Sequence, residues 1–71
     1  MSMPLSFAKE NTSYTISRIT GKDEVRSHLR NLGLVENETI SVKQSIAGNL
    51  IVEVKGVRIA LNKDLARRIM I

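Results

Sequence analysis

Apolar and polar residues alternate with a period of two over three successive segments of the chain, residues 39–46, 50–54 and 57–61. Successive side chains of a β-strand point to opposite faces, so each segment is predicted to be a strand with one buried face. The short turns between the segments predict an antiparallel meander.

The turns also predict the register of this meander. A two-residue turn at Lys55-Gly56 aligns the apolar faces of the last two strands. A two-residue turn at Ala47-Gly48 would place Val42 opposite the charged Glu53, so a three-residue loop is predicted instead, residues 46–48. The apolar rows predicted from these turns are Ile40/Val54/Val57, Val42/Val52/Ile59 and Gln44/Leu50/Leu61, and the row through Val52 is predicted to be buried.

Two further strands are predicted towards the ends of the chain. Alternation over residues 13–17 predicts a first strand that ends or bulges near Arg18. Asn62 can cap a helical turn over residues 63–66, and residues 68–71 alternate again as a closing strand. Together with one helix, these five strands favour a mainly β fold that closes partly into a barrel.

The helix is predicted between the first strand and the meander. Thr20 and Asp23 have the spacing of a capping box, in which the threonine hydroxyl accepts a hydrogen bond from the Asp23 amide. Gly33 is predicted to end the helix in the left-handed conformation, with Leu34 folding back onto the last turn. The apolar stripe of this helix consists of Val25, Leu29 and Leu32.

Length and composition restrict the protein to one small domain, residues 1–71, in which residues 1–12 are expected to be loosely ordered. The chain has no cysteine, which excludes disulfides and thiolate metal sites. Its longest apolar runs are three residues, and the first four residues do not look like a secretion signal. We therefore expect a cytoplasmic protein that does not span the membrane.

The net charge of +4 comes from eleven Lys and Arg against seven Asp and Glu. These basic residues are scattered, and only Arg67 and Arg68 are adjacent. One Phe and one Tyr also leave few aromatic platforms on which bases could stack. We therefore expect no tight binding of nucleic acid.

Two segments carry a family resemblance: residues 28–34, which read His-Leu-Arg-Asn-Leu-Gly-Leu, and residues 56–69, which begin Gly-Val-Arg-Ile-Ala-Leu. In this order the chain, from about Leu5 to Ile71, resembles the FeoA family, small cytosolic proteins of bacterial ferrous iron uptake. The resemblance implies an SH3-like, small five-stranded β-barrel with one inserted α-helix and a short helical turn before the last strand.

Four positions depart from the family pattern. Asn11 and Asn37 stand where glycine is usual, and asparagine is the next-best residue for a left-handed turn. Glu36 stands where proline is common, and His28 where arginine is frequent. If that arginine usually contacts a partner, the contact is altered in this chain.

The resemblance also implies a function. It indicates a non-catalytic accessory protein that binds and modulates the membrane GTPase transporter FeoB. The alternative is a module like the SH3-like domains of metal-dependent transcriptional repressors, acting in protein or nucleic-acid interaction. The chain itself has no Walker-type phosphate-binding motif.

The residues give little support to an enzyme or a metal site, since the chain has one histidine and no cysteine. Glu24 and His28 have i, i+4 spacing, typical of a surface ion pair and also able to share a metal. Two ligands are too few for tight divalent binding, and the acidic turn at Glu36 and Glu38 would attract a cation only weakly. We expect no cofactor and no metal.

The candidate partner-binding residues surround the predicted end of the helix: His28, Arg30, Asn31 and Leu34. They combine basic or titratable groups, an amide and one apolar side chain, which suits a contact with protein. Leu34 has the alternative role of closing the helix cap. On the meander, Ile51 is predicted to face outward opposite Lys43 and Ala60. Such a residue either awaits a partner or is covered by Leu5 and Phe7, and we favour the cover.

Overall fold

Residues 2–71 form six strands, two α-helices and one 3₁₀ turn. The computed structural model describes residues 2–71; Met1, part of the predicted domain and of the segment expected to be loose, lies outside them. The elements in chain order are the 3₁₀ turn Leu5–Phe7, β1 Thr12–Thr15, β2 Arg18–Ile19, α1 Asp23–Asn31, β3 Thr39–Ile46, β4 Asn49–Val54, β5 Val57–Leu61, α2 Lys63–Ala66 and β6 Ile69–Met70. A mainly β fold with an inserted helix and a helical turn before the last strand is confirmed.

The strands form two antiparallel sheets. Four of them pair in the order β1-β3-β4-β5, and β2 pairs with β6. The predicted first strand ends at Thr15, because Ile16 leaves the ladder and its backbone bonds to a loop instead; Arg18–Ile19 form a separate strand in the second sheet. Its N–H donates to the Glu38 carbonyl (2.9 Å), and its carbonyl accepts from the Asn37 N–H (2.8 Å). Residues 2–71 therefore contain six strands where five were predicted.

The predicted register of the meander is confirmed at its centre. Val52 lies opposite Val42 on one side and opposite Ile59 on the other. The two-residue turn at Lys55-Gly56 is also confirmed, with both residues at positive φ (51° and 78°). This is the conformation that a tight hairpin requires.

The turn between β3 and β4 differs from the prediction. It contains two residues, Ala47 and Gly48, at φ 52° and 85°. The extra residue that was predicted in the loop lies instead in β3, where a β-bulge falls between Val42 and Gln44. This bulge restores the apolar register. The predicted row with Gln44 opposite Leu50 is wrong, because the bulge places Ser45 opposite Leu50.

The core is a single cluster of buried apolar side chains to which nearly every element contributes. The N-terminal segment belongs to it, since Leu5 is fully buried and Ala8 is nearly so. The Met3 N–H donates to the Ile71 carbonyl (2.9 Å), and the Ile71 N–H donates to the Met3 carbonyl (2.8 Å). Residues 3–8 are therefore attached to the core and to the C-terminal end of the chain.

None of the helices within residues 2–71 has the length and apolar character needed to cross a membrane.

Candidate partner-binding surface

Helix α1 begins at Asp23 after an extended Lys22, and no side chain caps it. The predicted capping box is wrong, because Thr20 is engaged elsewhere. Its N–H and its hydroxyl both donate to the Arg68 carbonyl, at 2.7 and 3.2 Å. Asp23 and Glu24 occupy the first turn, where negative charge stabilises the helix dipole.

The other end of α1 has the predicted glycine termination. The Gly33 N–H donates to the Arg30 carbonyl (2.9 Å) and the Leu34 N–H to the Leu29 carbonyl (3.0 Å), which is a Schellman motif. Gly33 has φ 91°, and both leucines are fully buried. The helix end is therefore anchored to the core through its backbone and its side chains.

The turn after α1 is fixed to the first half of the chain. Asn37 has φ 70°, so asparagine takes the left-handed conformation here, as it does at Asn11 (φ 60°). Glu38 donates its N–H to the Val35 carbonyl (3.2 Å), and its carboxylate lies 3.3 Å from the Lys55 ammonium. These contacts hold the turn against Ile16 and the β4–β5 hairpin.

Between α1 and this turn lies a surface hollow of about 290 Å³. Arg26 and Arg30, one helical turn apart, form its basic side. The Arg26 guanidinium lies 3.8 Å from the Asp23 carboxylate, whereas Arg30 has no ion pair within residues 2–71. The remaining lining residues are Ile19, Leu34, Val35 and Glu36.

The four predicted partner residues do not form one cluster. Arg30 is exposed and lines the hollow. His28 and Asn31 are exposed, but they lie three residues apart on a neighbouring stretch of the helix surface and do not line the hollow. Leu34 lines it only from below, since it is fully buried. The Leu34 side chain therefore closes the helix cap from the core side.

Sequence reasoning missed Arg26 and Val35 as parts of this surface. The i, i+4 spacing of Arg26 and Arg30 was a signal that could have found the first of them. Val35 is 37% exposed and could not be assigned before the path of the turn was known. We call Arg26, Arg30, Val35 and Glu36, with the flanking His28 and Asn31, the helix-end surface.

The other candidate residues, for a metal site and for an apolar contact on the meander, do not form a common site within residues 2–71. Glu24 and His28 form no ion pair within residues 2–71, and the same residues contain no group of three or more His, Cys, Asp or Glu able to hold a metal ion. On the meander, Ile51 lies opposite Ala60 as predicted, but opposite Gln44 and not Lys43. Leu5 and Phe7 do not cover Ile51 as a pair, because Leu5 is in the core and Phe7 is 73% exposed.

Comparison with known proteins identifies the family. The FeoA domain model matches residues 3–71. A crystal structure of an iron uptake regulatory protein, FeoA, is 35% identical, with a TM-score of 0.91 over 99% of this chain and 95% of that chain. Comparison with curated protein sequences gave no significant match.

Two further solved structures bear on the fold. FeoA of Stenotrophomonas maltophilia complexed with zinc, described as a prokaryotic SH3 domain protein, is 29% identical, with a TM-score of 0.81 over 94% of this chain and 86% of that chain. A manganese-dependent transcriptional repressor shares the fold at 16% identity, with a TM-score of 0.89; the match covers 99% of this chain and 40% of the repressor. The predicted SH3-like fold is confirmed, and the chain belongs to the FeoA family.

Proposed function

We propose that this protein is a non-catalytic accessory protein of bacterial ferrous iron uptake, which binds and modulates a FeoB-like membrane GTPase transporter from the cytoplasmic side. Membership of the FeoA family is the observation that carries the proposal. The FeoA of Stenotrophomonas maltophilia is itself described as a candidate activating factor of bacterial ferrous iron transport.

The helix-end surface is the contact we assign to the transporter. Arg26 and Arg30 line one hollow, and Val35 offers an apolar group beside them. An acidic side chain of the partner would bind at Arg30, which has no ion pair within residues 2–71, because charge-assisted hydrogen bonds to arginine are strong and directional. His28 and Asn31 flank this contact.

The hollow is held on a rigid frame. The Schellman bonds fix the end of α1, and the bonds of Ile16 and Lys55 fix the turn that bears Val35 and Glu36. Binding to such a surface loses little conformational entropy, because few backbone torsions have to be ordered. A small contact on a small protein can then be specific.

The test is capture of the cytoplasmic domain of a FeoB-like transporter by the full chain, immobilised at physiological ionic strength. Arg30→Glu replaces an exposed cation at the hollow and should weaken capture about ten-fold or more, since a like charge then faces the acidic partner. Lys9→Glu makes the same charge change at an exposed position outside the surface and should leave capture within about two-fold.

Three results would contradict the proposal. Equal capture by Arg30→Glu and the wild type would remove the surface assignment. No capture by the wild type would remove the transporter as partner. Capture of duplex DNA at physiological salt in place of the transporter would favour the repressor-like alternative, since non-specific DNA binding from a charge of +4 falls steeply with salt.

A further inference from the structure

Strand β5 forms an open edge of the four-stranded sheet, because it pairs with β4 on one side only. Val57 is 60% exposed, Arg58 and Ala60 are exposed, and Ile59 is half-buried. At the other edge, β1 consists of four hydroxyl-bearing residues, whereas β5 is apolar apart from Arg58. An exposed apolar edge strand is a template for pairing with another strand.

The geometry of the β4–β5 hairpin shows which backbone groups of β5 are free. Val54 and Val57 flank the two-residue turn, so they exchange both of their backbone hydrogen bonds, and bonded pairs alternate along the ladder from there. From Val57, every second residue therefore points its N–H and C=O to β4, and Arg58 and Ala60 point theirs away from it. These four outward groups have no hydrogen-bond partner within residues 2–71.

The single charge on β5 is already balanced within the sheet. Arg58 lies opposite Glu53 in the ladder, and its Nε is 3.6 Å from the Glu53 carboxylate. Alternate residues of a strand share a face, so Ala60 lies on the same face as this ion pair. A strand that pairs with β5 therefore needs no acidic residue to neutralise Arg58, but it must not place a second cation opposite it.

A second copy of β5 meets this requirement in one antiparallel register. With Ile59 opposite Ile59 of the second copy, Arg58 lies opposite Ala60 of the second copy, and these two residues exchange both backbone bonds. The two-fold axis repeats the pair, so all four free groups of each strand are used. Shifting one strand by two residues places either Arg58 opposite Arg58, with like charges together, or Arg58 opposite Asn62, beyond the end of β5.

We propose that two copies of this chain pair through β5 in this register and form a two-fold symmetric dimer with a continuous eight-stranded sheet. Ile59 of each copy packs against the other in a non-hydrogen-bonded pair, where opposing side chains lie closest. Four backbone hydrogen bonds with a small net contribution each and one apolar pair give a weak dimer, with a dissociation constant of about 0.1 to 1 mM. The pairing uses no residue of the helix-end surface.

The test is an NMR dilution series of the isotope-labelled full chain at physiological ionic strength, from about 2 mM to about 20 μM, which brackets the expected dissociation constant. We expect concentration-dependent shifts of the Arg58 and Ala60 amides, because their N–H groups form the new bonds. In a mixture of labelled and unlabelled protein, a nuclear Overhauser effect between the Ile59 Hα atoms of two copies identifies the register.

Ala60 allows a charge test of this register. Ala60→Lys places a cation opposite Arg58 of the second copy, twice in each dimer, and should weaken the dimer about five-fold or more. Ala60→Glu places an anion there and should strengthen it about three-fold or more. Thr15→Lys and Thr15→Glu make the same kind of charge change at an exposed position on the other edge of the sheet and should leave the dissociation constant within about two-fold.

The opposite signs expected at Ala60 separate pairing from loss of the fold, since an unfolded variant cannot strengthen the dimer. The proposal is overturned by shifts that do not depend on concentration, by concentration-dependent shifts centred outside β5, or by equal effects of the Ala60 and Thr15 variants. Weakening by Ala60→Glu would overturn the register. Shifts at β5 that appear only when the cytoplasmic domain of the transporter is added would assign the edge to that partner and not to a second copy.

Discussion

The backbone N–H of Leu34 donates to the carbonyl of Leu29 at 3.0 Å, and the side chains of both residues are fully buried. The bond spans the left-handed Gly33 and stops α1 directly before the turn that forms one wall of the hollow. The wall and the helix are therefore parts of one unit, and a change at this junction acts on stability and on the helix-end surface together.

Gly33 should be the residue at this junction least tolerant of a Cβ atom. A Cβ there would meet no other atom within 4 Å, so the cost of Gly33→Ala is that of the left-handed backbone alone, about 1 to 2 kcal/mol. Gly33→Asn should lose less, because asparagine tolerates this conformation, as Asn37 does. Urea unfolding of both variants measures the difference; equal losses would contradict a conformational cause.

Leu34→Ala should destabilise the protein by about 2 to 4 kcal/mol, because it leaves a cavity under the helix end. Leu32→Ala removes the same atoms from a side chain that is 37% exposed and should cost less than about 1 kcal/mol. Equilibrium unfolding distinguishes the two. A similar cost for both would mean that Leu34 does not close the cap.

The centre of the sheet gives a third prediction. Val52 is fully buried between Val42 and Ile59, so Val52→Ala should cost about 2 to 3 kcal/mol of unfolding free energy. Val57→Ala, in the adjacent strand, changes a side chain that is 60% exposed and should cost less than about 0.5 kcal/mol. Thermal or urea unfolding would contradict the buried row if the two variants were equally stable.

The scarcity of metal-ligating side chains gives a fourth prediction, which concerns binding of ferrous iron. With one histidine and no cysteine in the chain, we expect the isolated protein not to bind Fe²⁺ tightly. Anaerobic calorimetry should show no stoichiometric binding at micromolar concentrations. A stoichiometric signal that is lost in His28→Ala would contradict this expectation and return Glu24 and His28 to consideration as ligands.

Patterns that act over a few residues predicted most of the fold. Alternation and turn length were enough to pair Val42 with Val52 and Val52 with Ile59. The position of the one extra residue between β3 and β4 was not predictable, because a bulge inside β3 and a three-residue loop both give the same apolar register. The bulged strand is also supported from a distant segment, where the Glu10 carboxylate accepts from the Ser45 N–H (2.7 Å).

Contacts between distant segments explain the remaining errors. Thr20 stands in a capping sequence, but its hydroxyl donates its hydrogen bond to the Arg68 carbonyl, 48 residues away. Leu5 lies in a polar segment that looked loose, and only the packing of α2 and β6 shows why it is buried. The hollow also depends on contacts between segments. The helix pattern was enough to select Arg30, but Val35 could not be placed beside it without knowing the path of the turn after α1.

The paired backbones of Met3 and Ile71 determine how the domain responds to mechanical force. These two residues face each other in antiparallel orientation, and Pro4 bridges to Met70 beside them. A force applied between residues 3 and 71 therefore loads these hydrogen bonds one pair at a time and separates residues 3–4 from β6. We expect single-molecule pulling at these positions to separate the two ends of the chain at low force, before the four-stranded sheet opens.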